Sequence, residues 1–178
     1  MLKYDYFSAL RTLTDNSREA VELACKRRAH SHIKIGKIRG ESYKTLCELE
    51  VALFSEFLPP LDRTSIAEYA HALCSVTDSA LIYSRSSALQ YAAVSQKGFE
   101  SACASLCEIL RAGCDMLDRI KKSSETPRLE EFREIKSRAL ESVCEGACGA
   151  QIFAAARDLL FAISDAFDAL LELILKSI

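Results

Sequence analysis

At 178 residues and a formal net charge of −2, the chain can fill one sizeable core but is too short for two large domains. It also lacks the general basicity that nucleic acid or an anionic membrane would select. Its eight cysteines are fewer than a disulfide-built scaffold carries. Asp5 and Arg11 interrupt any basic-then-apolar leader, so a cytoplasmic compartment with reduced thiols is expected. No uncharged apolar run reaches the ~18 residues of a membrane span. Even the greasy C-terminal segment carries Arg157, Asp158, Asp165, Asp168, Glu172 and Lys176.

Strand-like alternation is nowhere sustained and helical spacing is found almost throughout, so the fold class is all-α. A short amphipathic start from Tyr4 to Leu13 leads to Asn16-Ser17-Arg18-Glu19, which reads as a capping box opening a helix to Ile33. Gly36 and Gly40 loosen the chain before a helix that ends at Phe57. Pro59 and Pro60 then remove two backbone donors and force a corner. Asp62 offers a cap to the next helix, and Ser65 with Glu68 offers a second. Ile66, Ala70, Leu73, Thr77 and Ala80 mark that helix, expected to reach Ala93. In the fourth helix Phe99, Cys103, Leu106, Leu110, Gly113, Leu117 and Ile120 step by four and three, the seam of a helix packed nearly parallel to its neighbours. Thr126-Pro127 opens a fifth helix ending near Gly146 or Gly149. The sixth runs from Gln151 onward and should bury Ile152, Ala156, Leu159, Leu160, Ile163, Phe167, Leu170 and Ile174. A helix of roughly 27 residues is about 40 Å long. The expectation is therefore one domain, an elongated antiparallel bundle of two three-helix repeats, residues about 4–93 and about 97–178.

Several side-chain groupings carry chemistry. His71, Cys74 and Asp78 lie within about 60° on one side of the third helix and could ligate zinc or iron. The simpler reading is a polar edge beside the core. Cys103, Cys107 and Cys114 share a face, as do Cys144 and Cys148, and core filling is the favoured role for both sets. Lys26, Arg27, Arg28, Lys34, Lys37 and Arg39 lie in a stretch without an acid from Ala24 to Gly40. This suits either an anionic partner or a solvated helix end. Gly-rich phosphate loops, G-x-S-x-G and H-E-x-x-H are all missing from the sequence, so no enzymatic activity is expected.

Phe57-Leu58-Pro59-Pro60-Leu61-Asp62-Arg63-x-x-Ile66, followed by Ala70, Ala72-Leu73, Val76 and Asp78, resembles the PhoU-like phosphate transport regulator family. More narrowly, it is similar to accessory proteins of Pit-type phosphate transporters. Their corresponding corner, Pro-Phe-Asp-Arg-Glu-Asp-Ile, leads into a helix with Asp-Asp-x-x-Asp. The resemblance covers Phe57 to Asp78, extends from Tyr6 to Val94 and loosens beyond. It implies a PhoU-like bundle and a non-enzymatic role in regulating phosphate uptake through a membrane transporter or signalling protein. The protein would then sit in the cytoplasm or against the membrane through that transporter. A homodimer is compatible, with the Ala/Leu-rich sixth helix as one available face.

The family's paired acids can hold metal ions, and they map unevenly here. In the first repeat they fall on Arg39 and Tyr43 in the second helix, with Glu41 between, and on Cys74 and Ser75 in the third, where Asp78 alone is kept. In the second repeat Glu141 and Glu145 match the fifth-helix motif, and Asp165 and Asp168 stand at the sixth-helix partner. The two motifs are closer in sequence than the family spacing by roughly ten residues. A divalent or iron-type ion in the second repeat is thus implied at Glu141, Glu145, Asp165 and Asp168. The alternative function is a metal-binding bundle, for storage or catalysis, built on the clustered His, Cys, Asp and Glu residues.

Overall fold

The computed structural model describes residues 4–26, 30–55, 59, 61–88, 97–117, 129–145 and 150–176. These residues form six α-helices: α1 (Tyr6–Cys25), α2 (Ser31–Ser55), α3 (Arg63–Ala88), α4 (Lys97–Met116), α5 (Leu129–Glu145) and α6 (Ala150–Leu175). Among the described residues there is no strand, and no helix is long and apolar enough to cross a membrane.

α1 opens at Asp5, whose carboxylate accepts the Ser8 N–H at 2.9 Å. It then runs unbroken through Asn16-Ser17-Arg18-Glu19, so the expected capping box is no helix start. Ser17 is instead buried, and its hydroxyl donates to the carbonyls of Leu13 in its own helix and Leu73 on α3, both at 2.9 Å. Packing against α3 decides the matter, because a helix interior buried on Leu10, Leu13, Ala20 and Val21 outweighs one local signal. α2 likewise begins earlier than expected, at Ser31, and takes in both Gly36 and Gly40 at helical angles. His30, at φ 66°, makes the left-handed turn before it.

Asp62 is the cap of α3. Its carboxylate accepts the Ser65 N–H at 2.8 Å and the Ser65 hydroxyl at 2.9 Å. Ser65 is therefore a partner of the cap rather than a second one. Those bonds hold the Asp62 carboxyl below the usual carboxylate range. A depressed folded pKa means that the stabilisation is complete above the unfolded value, about 3.9, and is lost as pH falls through the folded one. Asp62→Ala is expected to cost about 1 kcal/mol at neutral pH. Urea unfolding should show the gap to wild type closing below about pH 3.

α1, α2 and α3 pack against one another, and so do α4, α5 and α6. The two sets join through a broad α3–α6 contact and a second contact between α1 and α4, leaving α2 and α5 on the outside. Phe99, Cys103, Leu106, Leu110 and Leu117 are buried along α4, as the spacing predicts, whereas Ile120 lies outside the described residues. A Cβ at Gly113 would sit 2.7 Å from Leu170 Cδ2, so glycine here lets α4 and α6 approach. All eight residues expected to line the buried face of α6 do so, and Phe167 stacks on Phe132 of α5 with ring centroids 3.8 Å apart.

Polar contacts fix how the two halves meet. Thr14 of α1 and Tyr69 of α3 share a buried hydrogen bond of 3.0 Å, with the buried Cys114 thiol of α4 beside them. On the rim, Arg11 pairs with Asp115 at 2.9 Å, Asp15 with Arg111 at 3.1 Å and Arg18 with Glu108 at 3.1 Å. Numbers rising along α1 and falling along α4 make the two helices antiparallel.

Candidate functional site

The residues singled out in the first half converge on the α2–α3 edge. Antiparallel pairing sets Arg39 and Tyr43 against Asp78, and Glu50 against His71. Arg39 Nε donates to Asp78 Oδ1 at 2.5 Å, and the Tyr43 hydroxyl donates to Asp78 Oδ2 at 2.8 Å. The guanidinium also lies 4.8 Å from the centre of the Tyr43 ring. The bond to Asp78, together with partial burial, pushes the Tyr43 phenol up. Both oxygens that Asp78 would offer a cation are thus occupied by donors, and a positive charge stands where a second carboxylate would be needed.

His71 does not join Asp78. Its Nε2 lies 2.8 Å from Glu50 Oε1 across the edge. Cys74, between them, is buried, and that burial pushes its thiol up to about 12, which disfavours the thiolate that binds metal. The three residues share a helix side, but each is turned to its own neighbour. Among the described residues no group of three His, Cys, Asp or Glu side chains is placed to hold a metal ion.

The second-repeat acids are also held apart. Phe132 stacks on Phe167, and Lys136 Nζ donates to Ser164 Oγ at 2.6 Å, which fixes the antiparallel register of α5 on α6. In that register Glu141 lies level with Leu159. At ~1.5 Å per residue, Asp165 is about 9 Å and Asp168 about 13 Å further along the axis. Glu145 lies one turn further still in the opposite direction; its side chain is outside the described residues. Glu141, Asp165 and Asp168 are exposed. The sequence resemblance implies one four-carboxylate site, but the register set by Phe132–Phe167 and Lys136–Ser164 leaves Glu141 out of step with Asp165 and Asp168. At the level of Ser164 the structure has the ammonium of Lys136, also 5.9 Å from the Phe161 ring centre.

The basic run divides. Lys26 is paired with Glu22 and Arg39 with Asp78, while Lys34 and Lys37 are exposed on α2. Arg27 and Arg28 lie outside the described residues. The thiols of α4 are interior: Cys103, Cys107 and Cys114 are all buried. A hydrogen bond with Cys25 and burial raise the Cys103 pKa, and burial raises those of Cys107 and Cys114. Neutral thiols in the core are poor ligands and poor nucleophiles. Cys144 and Cys148 fall outside the described side chains.

One cavity the sequence gave no sign of lies between α4 and α5, about 340 Å³ in volume and lined by Gly98, Ser101, Ala102, Ser105, Ile135 and Arg138. Among the described residues the lining is mostly small side chains, with Arg138 the one charged group.

No family model matches the chain, and no curated protein matches it. Among solved structures, the crystal structure of a PhoU-like protein from Shewanella oneidensis MR-1 is similar over 96% of this chain and 99% of that one, with a TM-score of 0.73 and 11% sequence identity. The six-helix arrangement described above is thus a PhoU-like fold.

Proposed function

We propose that this protein is a non-enzymatic regulatory or accessory component of inorganic phosphate transport, working through contacts with a membrane transporter or its signalling partner. The observation that carries this reading is a PhoU-like fold shared over nearly the full length of both chains. It is joined by the Leu-Pro-Pro-Leu-Asp-Arg corner in the sequence. In this reading the protein acts from the cytoplasm, and the basic stretch from Lys26 to Lys34 faces anionic groups of the partner. Metal binding takes second place, because the described acids and thiols considered for it are paired with donors, buried as thiols or out of register.

Deleting the gene in its native host is expected to change the rate of radiolabelled phosphate uptake several-fold, with recovery on complementation. Uptake unchanged at both low and high external phosphate would sink the proposal. Charge reversal at Lys34 should reduce complementation without lowering the amount of folded protein.

A further inference from the structure

The outward face of α2 is unlike the outside of a bundle helix. Ile33, Gly36, Gly40, Cys47, Val51 and Phe54 are all exposed, and at ~100° per residue they fall within about 60° of arc. Ile33 is 52% exposed, Val51 68% and Phe54 86%. At both glycines a Cβ would meet nothing within 4 Å. α1 and α3 cover the other side of the helix, so this stripe has no partner among the described residues. A run of apolar and small residues along a full solvent-facing helix marks a surface that another helix can cover.

The pattern along the stripe identifies the occupant. After Ile33 its N-terminal half is small, with Gly36 and Gly40, and its C-terminal half is bulky, with Val51 and Phe54. Charges beside the stripe reverse in the same sense. Lys34 and Lys37 flank the glycines, Glu48 flanks Val51, and Glu41 and Lys44 stand near the middle. Lys37, Glu41, Lys44 and Glu48 lie on one flank, which faces its own copy when two helices pack antiparallel. An inverted copy therefore sets Lys37 against Glu48 and Glu41 against Lys44, and brings Val51 beside Gly36 and Phe54 beside Ile33. A parallel copy would leave the glycines facing one another and turn this charged flank away from its own copy. We propose that α2 pairs antiparallel with α2 of a second copy of this chain about a twofold axis near Tyr43. The proposal does not depend on the phosphate reading.

Sedimentation analysis of the full chain, from low micromolar to several hundred micromolar, is expected to show a concentration-dependent dimer. Val51→Asp with Phe54→Asp should weaken it about tenfold or more. Because both side chains are exposed, the circular dichroism of the monomer should not change. Lys37→Glu and Glu48→Lys should each weaken the dimer several-fold, and the double variant should recover much of it, since in a symmetric antiparallel pair the exchange re-creates both 37–48 contacts across the axis. Protein that stays monomeric across the range would overturn the proposal and leave the face to a different protein. A dimer indifferent to all four substitutions, or a double variant no better than the singles, would overturn it too.

Discussion

Phe167→Ala is expected to destabilise the protein by about 3–5 kcal/mol, the range for truncating a fully buried aromatic side chain. Phe167 is 1% exposed, it stacks face to face on Phe132 at 3.8 Å, and it sits on α6, which packs against α3, α4 and α5. Loss of the ring therefore opens a cavity where three helices must stay in place, and rigid neighbours collapse into such a space only in part. For a chain of this size the melting temperature should fall by roughly 8–15 °C. A double-mutant cycle with Phe132→Leu should return a coupling of about 1 kcal/mol. A fall of less than about 3 °C for Phe167→Ala would mean that the α5–α6 packing described above is wrong.

Combining Arg39→Glu with Tyr43→Asp is expected to create a divalent-cation site on the α2–α3 edge. The sequence resemblance implies acids at these two positions, and both side chains present here reach Asp78. Glutamate is shorter than arginine, so the new carboxylate stands back from Asp78 and leaves room for an ion between them. Without metal the three carboxylates repel and the variant should melt below wild type. Manganese at about one hundred times its dissociation constant should then stabilise the variant by about 2.7 kcal/mol, with one ion per chain by titration calorimetry. If manganese shifts wild type and variant equally, positions 39 and 43 do not converge on Asp78 as described.

The fold was largely legible because burial repeats along the chain. Phe99 to Leu117 and Ile152 to Ile174 step by three and four residues, and the structure buries them accordingly. Helix starts in the first third were not. Asn16-Ser17-Arg18-Glu19 has the composition of a cap, but a serine hydroxyl can also satisfy itself on carbonyls inside a helix, as Ser17 does. Gly36 and Gly40 look like loop residues, and only their helical context allows them. The exchange of an acid site for an ion pair could be read from Arg39 lying opposite Asp78. The separation of Glu141 from Asp165 and Asp168 could not, because it depends on the register of α5 on α6. That register is set by long-range contacts such as Phe132–Phe167 and Lys136–Ser164.

The three ion pairs between α1 and α4 matter for a reason other than strength. Each is partly exposed and would contribute 1 kcal/mol or less. Their order, however, tolerates no sliding. If α4 moved one turn along α1 in one direction, Arg11 would face Arg111. In the other direction Asp15 would face Asp115 and Glu22 would face Glu108. Apolar seams of Leu, Ala and Cys repeat every turn and would accept either slip at modest cost. The charges make both slips repulsive, so they select among closely similar packings of the two halves while adding little to the stability of the one that forms.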